Sequence, residues 1–218
     1  MPLCYTRFVE INKEKQIKKA VSILREGGVI AYPTDTIYGL GASMANIPAI
    51  ERIFQVKGRP KGMALPLLVA DYAQIEQIVI SIPPSARRLI SEFLPGALTI
   101  ILPKSDIVPD IITAGGKTVA FRIPNNPVAL ALIEGLGKPI VGTSANLSGH
   151  PSPLTAGEVK KQIGDKIDML IDGGRCPGGI ESTIVDLSGE KPIVQRQGAI
   201  TVEKLRKILP DIASTEEG

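Results

Sequence analysis

The chain has 218 residues, 44% of them hydrophobic and 22% charged, which is the composition of an ordinary globular protein. Its net charge of +3 is too small to indicate nucleic-acid binding by itself, although it suits an anionic ligand. Aromatic residues make up only 4% of the chain and tryptophan is absent, which leaves little material for stacking on nucleobases.

Histidine and cysteine are scarce, and this restricts the chemistry available to the protein. His150 is the one histidine, so multi-histidine metal sites are excluded and any Ser-His-Asp triad would have to use it. Cys4 and Cys176 lie far apart and lack the spacing of metal ligands, so no disulfide framework is expected. No signal peptide is evident and no apolar run approaches ~18 residues, so we expect a cytoplasmic protein without a membrane span.

Short apolar strands alternate with segments of helical periodicity. In chain order, the predicted elements are a helix over 13–26, a strand over 29–32, a helix over 47–56, a strand over 67–69, a helix over 84–93, strands over 98–102 and 119–123, a helix from Asn126-Pro127 to near Gly135 or Gly137, a strand over 139–142, a short helix opening at Thr155, strands over 168–172, 183–187 and 193–196, and a helix over 201–208. This alternation predicts an α/β fold with a mixed sheet. We expect one domain over residues 1–210 and a flexible tail over 211–218.

Capping residues mark several of these helix ends. Gly27 stands where a C-terminal cap would follow the first helix. Asn46 is placed to cap the second helix, and Thr155-x-x-Glu158 has the pattern of a capping box.

Two loops that follow strands carry polar side chains suited to binding. Thr34-Asp35-Thr36 follows the 29–32 strand, and Thr143-Ser144-Ala145-Asn146 follows the 139–142 strand. In α/β sheets, ligands gather beyond the carboxyl ends of strands. Each loop by itself is also compatible with a turn whose side chains bond to local backbone.

Two nucleotide-binding patterns are incomplete. Gly39-Leu40-Gly41 begins like a dinucleotide-binding motif, but Met44 stands where the third glycine belongs. Gly116-Lys117-Thr118 resembles the end of a P-loop, but Ile111 replaces its first glycine. The sequence therefore does not predict a Rossmann or P-loop site.

Several cations are candidates for binding anions. Lys57-Gly58-Arg59-Pro60-Lys61-Gly62 can hold phosphate or carboxylate groups, although alone it is also typical of a solvated turn. Arg122 lies within an apolar strand and needs an anionic partner, which can be a protein carboxylate or a ligand. Arg196 likewise needs an anionic partner, which can be a protein carboxylate or a ligand. Without an evident nucleophile or metal cluster, this set suits catalysis by positioning and charge stabilisation.

Four motifs together resemble the YrdC-like family. They are Pro33-Thr34-Asp35-Thr36-Ile37-Tyr38-Gly39-Leu40, Lys57-x-Arg59-Pro60, Ser144-x-Asn146-x-Ser148-Gly149, and Glu181-Ser182-Thr183-Ile184 with Arg196. The resemblance implies a twisted mixed sheet with flanking helices around a basic concave pocket, in the short single-domain form. Members of that family are threonylcarbamoyl-AMP synthases. We therefore expect the substrates L-threonine, bicarbonate and ATP, with Mg²⁺, and a downstream transferase complex that modifies the adenosine beside the anticodon of tRNA.

The resemblance also implies roles for the matching residues. The catalytic residues would be Lys57, Arg59, Ser144 and Asn146. L-threonine would be bound by Thr36, Arg122, Gly142 and Ser182. ATP would be bound by Arg59, Thr118, Ser144, Ser152 and Arg196. No side chain is assigned to a metal, and no contact is carried over to Lys61–Leu65, which departs from the family pattern.

Two alternatives remain open on the sequence alone. One is a non-catalytic module that binds tRNA or double-stranded RNA through the same basic concavity, in ribosome or tRNA maturation. The other is a carbamoyl-adenylate-forming domain like those in hydrogenase maturation proteins, which usually occur in longer chains.

Overall fold

Two mixed sheets form the centre of the protein, with helices packed against them. The computed structural model describes residues 3–215, with side chains from residue 14 onward. Within this range the helices are α1 (Leu3–Arg25), α2 (Ile47–Lys57), α3 (Tyr72–Ile78), α4 (Pro84–Phe93), α5 (Asp110–Thr113), α6 (Pro127–Leu136), α7 (Ala156–Ile163) and α8 (Val202–Arg206). The strands are β1 (Ile30–Tyr32), β2 (Gly39–Gly41), β3 (Leu67–Leu68), β4 (Leu98–Pro103), β5 (Thr118–Arg122), β6 (Ile140–Val141), β7 (Thr143–Ser144), β8 (Met169–Leu170), β9 (Thr183–Asp186), β10 (Ile193–Arg196) and β11 (Ala213–Ser214).

The strands divide into a smaller and a larger sheet. The smaller sheet has four strands in the order β7-β2-β1-β8, and the larger has seven in the order β11-β10-β9-β4-β5-β3-β6. Each contains both parallel and antiparallel pairs, for example β1 with β8 and β1 with β2. The predicted mixed α/β fold is therefore confirmed, with two sheets where the sequence predicted one.

Residues 140–144 join the two sheets. The sequence predicted one strand over 139–142, but the chain leaves β6 in the larger sheet, passes through Gly142 and enters β7 in the smaller sheet. The Val141 N–H also donates to the carbonyl of Ala42, just beyond β2 (2.9 Å). The two sheets therefore meet where the predicted binding loop over 143–146 begins.

The predicted helix caps are confirmed. Gly27 has a φ of +85°, and the next residue donates its N–H to the Ile23 carbonyl (2.7 Å), as in a Schellman motif. The Asn46 side chain accepts the Ala49 N–H (2.9 Å) at the start of α2. The Thr155 hydroxyl accepts the Glu158 N–H (3.3 Å) at the start of α7.

The predictions from local sequence were wrong for several short helices and strands. It missed α3 and α5, and it predicted loops where β2 and β7 lie. The glycine-rich β2 has little strand propensity of its own and forms because it pairs with β1 on one side and β7 on the other. The α1 helix begins ten residues before its predicted start, and no Gly or Pro interrupts that segment.

The predicted flexible tail over 211–218 requires a correction. Ala213 and Ser214 pair in parallel with Ile193 and Val194, so β11 extends the larger sheet into this segment. Backbone hydrogen bonding to a neighbouring strand supplies order that the local sequence does not reveal. Residues 216–218 lie outside the described residues, and the extent of the domain over 1–210 stays a prediction.

Apolar side chains are buried in two clusters. The larger one surrounds the sheets and includes Ile53, Ile100 and Phe121, all of them fully buried. The smaller one lies between α1 and α6 and contains Leu24 and Leu132. None of the described helices is long and apolar enough to cross a lipid bilayer.

Candidate functional site

A cavity of about 370 Å³ lies where the two sheets meet. One of its walls is a face of the larger sheet, on which Thr99, Ile101, Ala120 and Arg122 lie on the adjacent strands β4 and β5. The smaller sheet contributes β2 and β7 to the lining, and the segment after α2 contributes residues 64–66. Its volume falls within the range of small-molecule sites.

Most of the residues assigned through the resemblance line this cavity. Those that do are Thr36, Arg59, Arg122, Gly142, Ser144, Ser182 and Arg196. Those that do not are Lys57, Asn146, Thr118 and Ser152. Positions far apart in sequence therefore converge on one cavity, while four of the assigned residues lie behind it or beside it.

Arg122 lies buried at the end of β5 and already has a protein carboxylate as its partner. Its guanidinium forms an ion pair with Asp35, donates to the Thr36 hydroxyl (2.9 Å) and donates to the Gly96 carbonyl (2.8 Å). Burial lowers the pKa of Arg122, and Asp35 opposes that shift. Hydrogen bonds to the described residues occupy three of the five guanidinium N–H groups, which leaves two for a ligand.

The loop after β1 acts both as a turn and as part of the cavity wall. The Thr34 hydroxyl donates to the Ile37 carbonyl (2.6 Å) and accepts the Thr36 N–H (3.1 Å), which is the local bonding expected of a turn. This leaves the Thr36 hydroxyl against Arg122 and inside the lining. Turn geometry thus positions the Thr36 hydroxyl.

Lys57 lies at the end of α2, only 2% exposed, and faces the loop after β7. Its ammonium donates to the Ser144 carbonyl and to both the carbonyl and the side-chain oxygen of Asn146 (2.9 Å each). The Asn146 amide group in turn donates to the His150 carbonyl. Lys57 and Asn146 therefore hold the loop that presents Ser144 to the cavity, and neither residue reaches the cavity itself.

Burial and the nearby Arg59 lower the pKa of Lys57 to about 8, while Glu181 opposes the shift. Between pH 8 and the ordinary lysine pKa of about 10.5, the unfolded chain binds more protons than the folded one, so this group makes folding more favourable as pH rises. We expect the free energy of unfolding of the wild type, relative to Lys57→Met, to increase by about 1–2 kcal/mol between pH 7 and pH 9.5. Denaturant unfolding at the two pH values measures it.

Lys61→Met is the matched control, because it removes an exposed lysine from the adjacent turn. It shows how much of any change comes from removing a lysine from this part of the chain. A Lys57→Met difference that does not change between the two pH values would contradict the lowered pKa.

Arg196, Glu181 and Ser152 form a hydrogen-bonded group at one side of the cavity. Arg196 forms an ion pair with Glu181 and donates to the Ser182 carbonyl (2.8 Å). The Ser152 hydroxyl donates to the other oxygen of Glu181 (2.7 Å). Ser152 lies outside the lining but is connected through Glu181 to a residue that is part of it.

Arg59 has few protein partners for a partly buried guanidinium. Its Nη2 donates to the Ala64 carbonyl (2.9 Å), and its Nε is buried without a hydrogen-bond partner among the described residues. The Nε of Arg196 is also buried without a hydrogen-bond partner among the described residues. Both arginines line the same cavity, and two guanidinium groups beside one cavity suit an anionic ligand.

Thr118 lies at the start of β5, on the same face of the strand as Ala120 and Arg122. Ala120 and Arg122 line the cavity and Thr118 does not. Thr118 thus lies on the same side of the sheet, next to the lining residue Ala120 but outside the cavity. Its assignment to ATP stays a prediction.

Gly142 lies where the chain crosses between the sheets, and its environment leaves no room for a side chain. A Cβ at this position would lie 2.4 Å from Cγ of Leu68, which also lines the cavity. We expect Gly142→Ala to destabilise the protein by about 1–3 kcal/mol and to weaken ligand binding, because Leu68 would be displaced. Thermal unfolding and ligand titration measure the two effects.

The double variant Gly142→Ala with Leu68→Ala tests the cause of this effect. Because Leu68 supplies the nearest atoms, the second substitution should cost less stability in the Gly142→Ala background than in the wild type. Strictly additive effects would show that Leu68 is not the obstacle.

Several lining residues were not assigned a role from the sequence, among them Thr34, Thr99 and Glu181. Thr34 and Thr99 contribute hydroxyls, and Thr99 shares a hydrogen bond with the Ser182 hydroxyl (2.8 Å). Glu181 contributes a carboxylate. Thr34 and Glu181 both belong to the motifs quoted above, whereas Thr99 lies in an apolar strand with no signal of its own.

The described residues contain no group of three or more histidine, cysteine or acidic side chains that could hold a metal ion. Among the described residues that line the cavity, Glu181 is the one with a carboxylate. Mg²⁺ is commonly held through one or two carboxylates together with substrate phosphates. The cavity therefore fits a magnesium ion that arrives with a polyphosphate, and it does not fit a metal cage built from protein side chains.

Comparison with known proteins identifies the family. The Sua5/YciO/YrdC family model, described as telomere recombination, matches residues 22–198. The chain belongs to this family. A threonylcarbamoyl-AMP synthase of Pyrococcus abyssi is 42% identical over 200 residues, which cover 92% of this chain and 59% of that protein. One of Bacillus subtilis is 42% identical over 211 residues, covering 94% and 61%.

Solved structures of the Sua5/YciO/YrdC family agree with the fold. A crystal structure of P. abyssi Sua5 complexed with L-threonine matches with a TM-score of 0.89, covering 91% of this chain and 58% of that one. The crystal structure of E. coli YciO matches at 34% identity with a TM-score of 0.80, covering 88% and 93%. The chain spans about three-fifths of the length of the two synthases it matches.

Proposed function

We propose that this chain forms L-threonylcarbamoyladenylate and pyrophosphate from L-threonine, bicarbonate and ATP. The observation that carries the proposal is the convergence of Arg59, Arg122 and Arg196 with several hydroxyls on one cavity. Relatives that match most of this chain are named threonylcarbamoyl-AMP synthases, and one of them has been crystallised with L-threonine. The names of these relatives do not support the alternative of a non-catalytic RNA-binding module.

The substrates supply both nucleophiles in this reaction. The threonine amine attacks the carbon of bicarbonate and water leaves, which gives a carbamate. A carbamate oxygen then attacks the α-phosphorus of ATP, and pyrophosphate leaves. The protein's task is to bring two anions together and to stabilise the charge that develops on the leaving group.

We assign the threonine carboxylate to the two uncommitted N–H groups of Arg122. The ion pair with Asp35 and the bond to Thr36 hold the guanidinium in place before the substrate arrives. Thr36, Ser182 and the backbone at Gly142 lie along the same lining and complete the amino-acid part of the site. Such preorganisation reduces the entropy that must be lost on binding.

The phosphates are assigned to Arg59 and Arg196, whose guanidinium groups are the cations of this part of the lining. Ser144, in the part of the lining that β7 contributes, is assigned to the nucleotide, and Lys57 acts through Ser144 and Asn146. We assign Lys57 and Asn146 to holding this loop in position, which differs from the catalytic role that the resemblance implies. Mg²⁺ would enter with the phosphates and neutralise charge on them.

The product is a mixed anhydride, which we propose is passed to a transferase complex that modifies tRNA in the cytoplasm. Adenylate formation does not itself require this chain to contact tRNA, so direct RNA binding stays a prediction.

The test is a reconstitution of the reaction with the purified protein. ATP, Mg²⁺ and ¹³C-bicarbonate are incubated with and without L-threonine, and pyrophosphate and adenylate are measured by mass spectrometry. We expect threonine-dependent pyrophosphate release and a threonylcarbamoyladenylate one mass unit heavier than with ordinary bicarbonate. Folded protein that binds ATP but forms no labelled adenylate would contradict the proposal.

A further inference from the structure

Glu181 holds Arg196, which we assign to the phosphates of ATP, and Ser152, which the resemblance assigns to ATP. One of its carboxylate oxygens pairs with Arg196, and the other accepts the Ser152 hydroxyl (2.7 Å). A carboxylate and a phosphate require the same donors, so Glu181 and the nucleotide compete for Arg196. In the free protein, the carboxylate already has this guanidinium as its partner.

The accessibility of this ion pair favours exchange. The Arg196 and Glu181 side chains are 41% and 37% exposed, whereas those of Arg122 and Asp35 are 7% and 13% exposed. A half-exposed ion pair contributes little free energy, but a buried one is costly to break. A triphosphate carries more charge than one carboxylate and can replace it on Arg196, while the Arg122 pair stays intact.

We infer that Glu181 is an exchangeable partner in the nucleotide site. In the free protein it holds Arg196 and Ser152. When the phosphates of ATP replace it on Arg196, its carboxylate is free to bind the Mg²⁺ that accompanies them. This inference rests on the proposed function, because it requires ATP to be the ligand of this cavity. The cavity offers no second carboxylate among its described lining residues, so the metal site needs Glu181 and the phosphates together.

The variant Glu181→Gln separates the two halves of the inference. Glutamine keeps the size of the side chain and can still accept the Ser152 hydroxyl, but it has no charge. ATP binding is measured by calorimetry, once with EDTA and once with MgCl₂. We expect the variant to bind metal-free ATP about fivefold more tightly than the wild type, because no carboxylate competes for Arg196. The increase in affinity that Mg²⁺ gives the wild type should be lost.

Asp168→Asn is the matched control. Asp168 pairs with Arg52 at nearly the same exposure, 37% and 39%, and neither residue lines the cavity. This variant should bind ATP like the wild type under both conditions. The inference would be overturned if Glu181→Gln bound metal-free ATP no more tightly than the wild type. It would also be overturned if this variant kept the full increase in ATP affinity that Mg²⁺ gives the wild type. A wild type that binds no ATP at all would instead contradict the proposed function.

A second measurement covers the case in which Glu181→Gln does not fold, which circular dichroism would reveal. Wild-type protein carrying ¹³C-labelled glutamate is titrated with ATP and a trace of Mn²⁺. Because Mn²⁺ is paramagnetic, we expect the Glu181 carboxyl signal to broaden before those of Glu51 and Glu203. Uniform broadening, or none at Glu181, would overturn the inference.

Discussion

Replacing Arg122 with alanine is expected to raise the threonine concentration needed for half-maximal turnover by about 100-fold. The guanidinium is buried, and its two uncommitted N–H groups are assigned to the substrate carboxylate. Loss of one partner from a buried, hydrogen-bonded charge pair costs about 2–5 kcal/mol, and 100-fold lies within that range. Threonine-dependent pyrophosphate release measures the change, with ATP held in excess.

The same substitution leaves Asp35 buried without its counter-ion, so stability must be measured beside activity. We expect Arg122→Ala to lose about 3–5 kcal/mol of unfolding free energy, and the double variant with Asp35→Asn to recover part of it. The double variant should remain defective toward threonine. If it recovered threonine affinity, or if only ATP affinity changed, the assignment of Arg122 to the carboxylate would be wrong.

Arg59→Ala is expected to lower turnover by about 100- to 1000-fold and to leave the protein folded. Among the described residues its side chain makes one hydrogen bond, to the Ala64 carbonyl, so little structure depends on the guanidinium. Its side chain lines the cavity, and removal of a donor that stabilises transition-state charge has effects of this size. The rate of pyrophosphate release at saturating substrates measures the loss.

Lys61→Ala is the control for Arg59→Ala, because it removes a cation two residues away that pairs with Glu51 at the surface. It should retain turnover within about twofold, since an exposed pair of this kind contributes little. Undiminished turnover in Arg59→Ala, or an equal loss in both variants, would remove Arg59 from the phosphate site.

Much of the fold could be predicted because its signals are local. Helix caps such as Asn46 and Gly27 form hydrogen bonds within a few residues. Apolar strands such as β4 and β5 can be predicted from their hydrophobicity alone. The short strands β2, β7 and β11 could not be predicted, because each is held by hydrogen bonds to a strand distant in sequence. Strand formation there depends on the partner and not on local propensity.

The candidate site, too, could be predicted only in part from the sequence. The family resemblance named seven of the residues that line the cavity, including Arg59, Arg122 and Arg196. It did not reveal the partner of each cation. Arg122 was open between a protein carboxylate and a ligand, and the structure gives it Asp35 while leaving two N–H groups free. Lys57 belongs to one of the four motifs, yet it lies behind the cavity. There its ammonium donates hydrogen bonds to Ser144 and Asn146.

By itself, the sequence determined the family, the α/β class and the chemical character of the site: cations and hydroxyls without an evident nucleophile. These follow from residue types and short-range spacing, which are present in the chain before it folds. Only the tertiary structure decided which carboxylate each cation pairs with and which of these pairs is buried. Glu181 and Arg196 are 15 residues apart, and Asp35 and Arg122 are 87 apart. Charge partners at such separations are set by how the two sheets pack together, and the pairing in turn controls desolvation and the free energy of each ion pair.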